Sequence, residues 1–237
     1  MKSYIIHFIR HGMTAGNEEG RYIGSTDLPL SPSGEKRIHA LAEKYPYPQA
    51  EAYFCSPLKR CTQTMKILYP KAKPILIRDF RECSFGEWEG KNAKEIAAKD
   101  PAFAQWVAGK GKQITPPGGE SSGAFMQRTC AAFEKIVKGL MTAGMTSAVI
   151  VAHGGTLMTL LSAYGLPRAR FYDWMTDSGC GYSMRITPGL WMRSMVGEVY
   201  AKIPAEEKKE DNGVMMIDLA REAAEKAFEK DKPEGKE

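Results

Sequence analysis

The stretch Tyr4-Ile5-Ile6-His7-Phe8-Ile9-Arg10-His11-Gly12-Met13-Thr14-Ala15-Gly16-Asn17 decides the reading of this chain. It opens on a short run of β-branched and aromatic residues, the signature of a buried strand, predicted over residues 3–9. The chain then turns at Gly12 and Gly16. A cation (Arg10), an imidazole (His11) and flexible backbone therefore sit together at the carboxyl end of a strand. In open α/β sheets that end is where ligands bind. A fixed positive charge beside an imidazole suits a phosphate group, and the imidazole can attack it.

Working outward, three more buried strands are predicted over residues 50–55, 74–78 and 147–152. Helical patterns alternate with them. Ser33 is placed as the cap of a helix that turns Ile38, Leu41 and Ala42 inward. Ser56-Pro57 is placed at the start of a second, with Leu58, Cys61, Met65 and Leu68 on its buried face. A long amphipathic helix is predicted over 123–142 and a short apolar one over 155–164. This alternation predicts an α/β three-layer sandwich, with a mainly parallel central sheet and helices on both faces.

Residues 91–119 break the rhythm. They read as short helices at 92–99 and 101–108, then a Gly/Pro-rich run at 109–119, an insertion of the kind that forms a lid or substrate wall. Phe103, Trp106 and Val107 share one helical face and read as core. Further on, 182–186 alternates and reads as an edge strand, and Pro188-Gly189 as a turn. Residues 206–211 form a charge-dense linker and 214–228 an amphipathic helix, one that packs on its own domain or mediates a dimer. Monomer and homodimer are thus both compatible with the sequence.

Composition narrows the function classes. At 237 residues, 43% apolar and 26% charged, the chain reads as an ordinary globular domain with insertions. The net charge of +5 is small and its basic residues are dispersed, which argues against nucleic acid as a partner. No apolar run approaches 18 residues, so no membrane span is expected, and no signal peptide is read at the N-terminus. Five cysteines without a C-x-x-C indicate neither a disulfide framework nor a zinc ribbon, and fit a cytoplasmic setting.

Three other strand ends carry reactive groups. Arg60 falls in the first turn of the helix after strand 50–55, near its positive end. His153-Gly154-Gly155 follows strand 147–152, where the glycines let backbone amides approach an anion. Strand 74–78 leads to Glu82-Cys83-Ser84-Phe85-Gly86-Glu87-Trp88-Glu89-Gly90. In a parallel sheet all four segments open on one edge. His7, inside a strand, and His39, in a helix, read as structural, and no H-x-x-x-H or His/carboxylate spacing marks a metal site.

These motifs resemble those of the histidine phosphatase superfamily, the branch that also holds the phosphoglycerate mutases. Arg10-His11-Gly12 resembles its nucleophile motif, with Thr14 and Asn17 on two further family positions. Asp27 through Gly34 resembles the next family segment, and Ser56 through Thr64 the second-arginine helix. Glu82 through Gly90 resembles the acid segment. Pro117-Gly118-Gly119-Glu120-Ser121 with Arg128 resembles the start of the long helix, and Val151 through Gly155 the second-histidine motif. All occur in family order over roughly residues 1–165. The match fades from Tyr182, and the tail after Pro204 has no family counterpart. The resemblance implies one phosphatase domain over 1–205 with the 91–119 insertion, followed by the 206–237 linker and helix.

It also implies roles. His11 would be the nucleophile and form a phosphohistidine. Arg10, Arg60 and His153 would bind the equatorial oxygens, joined by Asn17 and the backbone of Gly154. Glu82 would serve as general acid and then base. No metal or cofactor would be needed, and the substrate would be a small phosphorylated metabolite. The resembling mutases carry a longer insertion with an adjacent arginine pair. Here 91–119 is short and holds Lys91, Lys94, Lys99, Lys110 and Lys112 but no arginine. That favours hydrolysis over mutase-type transfer, with similarity to α-ribazole phosphatases and equally to broad-specificity bacterial relatives. A catalytically silent phosphate-binding module is the remaining alternative.

Overall fold

Strand β1 (Tyr4–Arg10) lies at the centre of a seven-stranded sheet of order β3-β2-β4-β1-β6-β7-β5. The other strands are β2 (Ala52–Cys55), β3 (Ile75–Leu76), β4 (Ser147–Ala152), β5 (Gly165–Leu166), β6 (Gly181–Ile186) and β7 (Gly197–Ile203). The computed structural model describes residues 2–107 and 114–205. The predicted linker and helix within 206–237 lie outside the described residues. Every neighbouring pair is parallel except the two that involve β6, so the mainly parallel expectation holds.

The parallel register positions the site. Arg10 pairs with Ala152, and Cys55 with Val151, so β1, β4 and β2 end side by side. His11 still donates its amide to the Ala152 carbonyl at 2.9 Å, one residue beyond the strand.

Alternation along the strands loads both faces. Ile6 and Phe8 of β1 and Ala148, Ile150 and Ala152 of β4 pack with Phe133, Val137 and Leu140 of α6 (Ser122–Ala143) and Leu157 and Leu160 of α7 (Gly154–Tyr164). Ile9, Val149 and Val151 face the other way, onto Ile38 of α2 (Pro32–Lys44) and Cys61, Met65 and Leu68 of α3 (Lys59–Leu68). Each large side chain so buried contributes about 1.5–3 kcal/mol. The remaining helices are short: α1 (Ala15–Glu18), α4 (Ala93–Ala97), α5 (Ala102–Val107) and α8 (Pro188–Ser194).

Several elements depart from the sequence reading. Ser31, not Ser33, caps α2, because its hydroxyl accepts from the Gly34 amide at 3.0 Å and Pro32 takes the first helical position. Helix α3 starts at Lys59 rather than at Ser56-Pro57, and its cap residue, Leu58, makes no side-chain cap bond. The strand expected to be buried at 74–78 is the two-residue edge strand β3, with Ile75 and Leu76 59% and 54% exposed. Conversely, β6 is interior rather than an edge, held between β1 and β7. Its Ser183 is buried against His7, whose Nδ1 lies 2.8 Å from the hydroxyl. Pro188 opens α8 instead of a turn. In the insertion, α4 is shorter than the predicted helix and α5 begins one residue later than predicted; residue 108, with part of the Gly/Pro-rich run, lies outside the described residues.

Candidate active site

His11 stands buried just past β1. Its Nδ1 lies 2.6 Å from the Gly12 carbonyl oxygen. A carbonyl only accepts, so this contact assigns the ring proton to Nδ1 and leaves Nε2 with its lone pair. The Gly12 amide donates to the Thr64 hydroxyl at 2.9 Å, and that hydroxyl donates to the Arg60 carbonyl at 2.7 Å. A side chain at position 12 would bring its Cβ within 2.8 Å of Ile38, so glycine lets this turn pack on α2. Burial holds the His11 imidazolium well below its ordinary range; the Arg60 and Arg10 charges reinforce this, against the Gly12 hydrogen bond.

Beneath it lies a fully buried layer. The His11 and His153 rings meet edge-on, centroids 5.0 Å apart. Arg60 donates from Nε to His153 Nδ1 at 3.2 Å, from Nη1 to the Thr26 carbonyl at 2.8 Å and from Nη2 to the Gly24 carbonyl at 2.6 Å. His153 Nε2, left with the proton, donates to Ser56 Oγ at 2.7 Å. Burial, then the Arg60 charge, keeps His153 neutral as well. The three bonds use three of the five guanidinium protons.

The loop that supplies those carbonyls is itself clamped. The Glu89 carboxylate accepts from the amides of Gly24, Ser25 and Phe85 at 3.0, 2.8 and 3.0 Å, and from the Thr26 hydroxyl at 2.7 Å. Burial acts to raise its pKa, but those donated bonds outweigh it and the group titrates below the usual carboxylate range.

Glu82 reaches the site from the segment after β3. Its Oε1 accepts from the Cys83 amide at 3.0 Å and its Oε2 from the Gly155 amide at 2.8 Å, at the first turn of α7. A Cβ on Gly155 would lie 2.4 Å from Oε1, so only glycine admits the carboxyl there. Burial raises the Glu82 pKa above the ordinary range, although both amide bonds and the charges of Arg60 and Arg10 pull the other way. Arg128 fixes this segment from α6. It donates to the carbonyls of Asp79, Arg81 and Glu82 at 2.6, 2.8 and 3.2 Å, and pairs with both oxygens of Glu120 at 2.7 Å. The insertion begins and ends beside it. The Glu87 amide donates to the Pro117 carbonyl and the Glu120 amide to the Ser84 carbonyl, each at 2.8 Å.

Arg10, His11, Asn17, Glu82 and Gly154 line one cavity of 660 Å³. Arg10 donates from Nη1 to the Thr176 carbonyl at 2.6 Å, while its buried Nε has no partner. Asn17 has its Oδ1 held by the amide and hydroxyl of Thr14 at 3.1 and 3.0 Å, and its amide nitrogen is the free end. Arg60 and His153 lie behind this surface. A wider groove of 860 Å³ runs between β3 and α6, but none of these residues lines it. Among the described residues no three His, Cys, Asp or Glu side chains cluster as metal ligands do.

The structure thus gathers every residue singled out from the four strand ends. Thr64, Ser56, Glu89 and the Arg128 clamp were not assigned work from sequence. Neither Ser56 nor Thr64 stands in a pattern that marks it, since α3 is capped at Leu58 without a side-chain bond and Thr64 falls inside the helix.

An α/β sheet covered on both faces, with two neutral imidazoles and a buried guanidinium at the ends of its central strands, defines a phosphate-handling class of fold. Residues 6–197 match the family model described as histidine phosphatase superfamily (branch 1), and the chain belongs to that family. It is 34% identical over 166 residues to a 2,3-bisphosphoglycerate-dependent phosphoglycerate mutase 2 of Gloeobacter violaceus, covering 66% of this chain and 74% of that protein. It is 27% identical over 180 residues to the adenosylcobalamin/alpha-ribazole phosphatase of Escherichia coli K12, covering 73% and 85%. The fold matches the crystal structure of the alpha-ribazole phosphatase from Shigella flexneri with a TM-score of 0.68 at 23% identity, over 83% of this chain and 94% of that one. Among the described residues no helix is long and apolar enough to cross a membrane.

Proposed function

We propose that the protein hydrolyses a small phosphomonoester without a metal, through a phosphohistidine on His11. The observation that carries this reading is His11 Nε2, left with its lone pair by the Nδ1 contact to Gly12, in a cavity that Arg10 and Glu82 also line. Nε2 attacks phosphorus in line. Arg10, the two remaining N–H groups of Arg60, the Asn17 amide and the backbone of Gly154 take the oxygens on which charge grows. His153 has both ring nitrogens engaged. It contacts an oxygen only by exchanging Ser56 for the ligand, and otherwise holds Arg60 in place.

In its protonated form, which burial favours, Glu82 passes its proton to the leaving alcohol oxygen as the P–O bond breaks. The resulting carboxylate then takes a proton from water as the oxygen attacks the phosphohistidine. Phosphate leaves, His11 is again neutral, and Glu82 is again protonated.

The similarity to a phosphoglycerate mutase supports a second reading, in which the phosphoryl group returns to a bound alcohol. The insertion without arginine weighs against it. Rapid quenching with a ³²P-labelled aryl phosphate tests the mechanism. An acid-labile, base-stable adduct on the wild type, absent in His11→Ala with kcat reduced by about 10⁴-fold or more, is the expected result. Turnover that persists in His11→Ala overturns it. Formation of 2-phosphoglycerate from 3-phosphoglycerate and a bisphosphoglycerate primer would select the mutase reading.

A further inference from the structure

The half of the cavity away from His11 is walled by aromatic rings and thioethers. Tyr22, Phe85 and Trp106 pack edge to face around it, with centroids 5.4, 6.1 and 5.7 Å apart pairwise. Phe171 and Tyr172 add a second wall, tied to the insertion where the Tyr172 hydroxyl donates to the Val107 carbonyl at 3.3 Å. Tyr22, Phe85 and Trp106 also pack on the buried cluster of Trp88, Ile96 and Phe103, whereas Phe171 and Tyr172 are exposed. Tyr172 is 49% exposed, and Met126 and Met175, which line the same space, are 53% and 58% exposed. The Trp106 indole N–H is buried and has no partner.

Charge is distributed against an acidic leaving group. Among the described residues lining the cavity, the cations are Arg10 and Arg21. Arg10 stands at the phosphoryl end, beside Gly154. The Arg21 charge already faces two carboxylates: it donates to Glu19 at 2.6 Å and to Glu95 at 3.4 Å, and to the Gly90 carbonyl at 2.7 Å. A carboxylate on the substrate's alcohol would lose its water against rings and thioethers and, among the described residues lining that half, would meet only a cation already facing two carboxylates. Such a group is rejected more strongly than any apolar group of the same size is preferred.

We infer that the site takes phosphomonoesters of uncharged, largely apolar alcohols and discriminates against those whose alcohol carries a carboxylate, such as phosphoserine or phosphoglycerate. This rests on the hydrolytic reading above and goes further, to the class of alcohol. A volume of 660 Å³ holds an arylalkyl group with room to spare. The free indole N–H of Trp106 offers one hydrogen bond to a neutral acceptor on that group.

The test compares 2-phenylethyl phosphate with phospho-L-serine and 3-phosphoglycerate on the full chain, by kcat/KM at one pH, with His11→Ala beside the wild type. All three leave as primary alcohols, and serine is a better leaving group than 2-phenylethanol. Intrinsic reactivity therefore works against the inference. The expected result is a preference of about 100-fold or more for 2-phenylethyl phosphate over both acids. In Trp106→Ala and in Phe171→Ala, the preference for 2-phenylethyl over methyl phosphate should shrink about tenfold. Phosphoserine or 3-phosphoglycerate turned over as fast as 2-phenylethyl phosphate, with His11→Ala dead, overturns the assignment of the alcohol and leaves the hydrolytic reading standing. No His11-dependent turnover of any of the esters overturns both.

Discussion

The hydroxyl of Thr64 and the peptide of Gly12 are joined at 2.9 Å, and the other end of that residue holds the proton of His11 at 2.6 Å. A side chain on α3 thereby holds the residue whose carbonyl sets the tautomer of an imidazole just past β1. Thr64→Val removes the acceptor for the buried Gly12 amide and should destabilise the fold by about 1–3 kcal/mol. It should also lower kcat by about tenfold, as the imidazole loses its fixed orientation. Thr64→Ser should restore both, which a loss of packing alone would not allow. Thermal unfolding and steady-state kinetics on the two variants measure this.

Glu82 carries its proton above the ordinary carboxylate range because it is buried. As a general acid it works while protonated, so the rate with an alkyl ester should fall as pH rises through that elevated pKa. His11, held low, is already neutral across the same range and adds no limb near its usual value. Glu82→Gln should remove the falling limb and cost about 10²–10⁴-fold on an alkyl phosphate. With p-nitrophenyl phosphate, whose leaving group needs no proton, the loss should be smaller. Equal losses on both esters would count against the acid role.

Gly155→Ala places a methyl 2.4 Å from Glu82 Oε1. The carboxyl must move, and its bond to the residue 155 amide lengthens or breaks. We expect about 1–3 kcal/mol of destabilisation and a kcat loss that is again larger for alkyl than for nitrophenyl esters. A crystal structure of the variant should show residue 82 displaced while His11 and Arg10 keep their places.

Glu89 titrates low in the native state because it accepts four donors from the 24–26 loop and Phe85. Its folded pKa lies below its unfolded one. The stability it contributes is therefore complete above the unfolded value and is lost as pH falls through the folded value. Glu89→Gln should flatten that acid limb of the stability curve and destabilise the protein by about 1–3 kcal/mol at neutral pH. Activity should fall with it, since the loop it holds supplies the Gly24 and Thr26 carbonyls that hold Arg60. Denaturant melts from pH 3 to pH 7 on both proteins would show it.

Much of this was legible because chemistry and periodicity coincide. β4 occupies the predicted residues, and α6 and α7 fall within one residue of theirs at each end. The strand-end motifs converge because parallel register makes them do so, which no single motif states. What was illegible has physical causes too. β6 alternates Ser183 with apolar neighbours and so mimics an edge, but the direct pairing of His7 with Ser183 satisfies both polar groups inside the sheet. Ile75 and Leu76 read as core, yet among the described residues no strand flanks β3 on its outer side. The acceptors that fix Arg60 are main-chain oxygens of a loop, and backbone carbonyls leave no mark in a sequence.

The insertion departs and returns across two short backbone bonds, Glu87 to Pro117 and Glu120 to Ser84, while Arg128 grips the proton donor from a separate helix. Glu89 lies between those staples and clamps the 24–26 loop whose carbonyls hold Arg60. The insertion is therefore wired to the buried guanidinium at its root, and a change there is felt two contacts away, under the imidazoles.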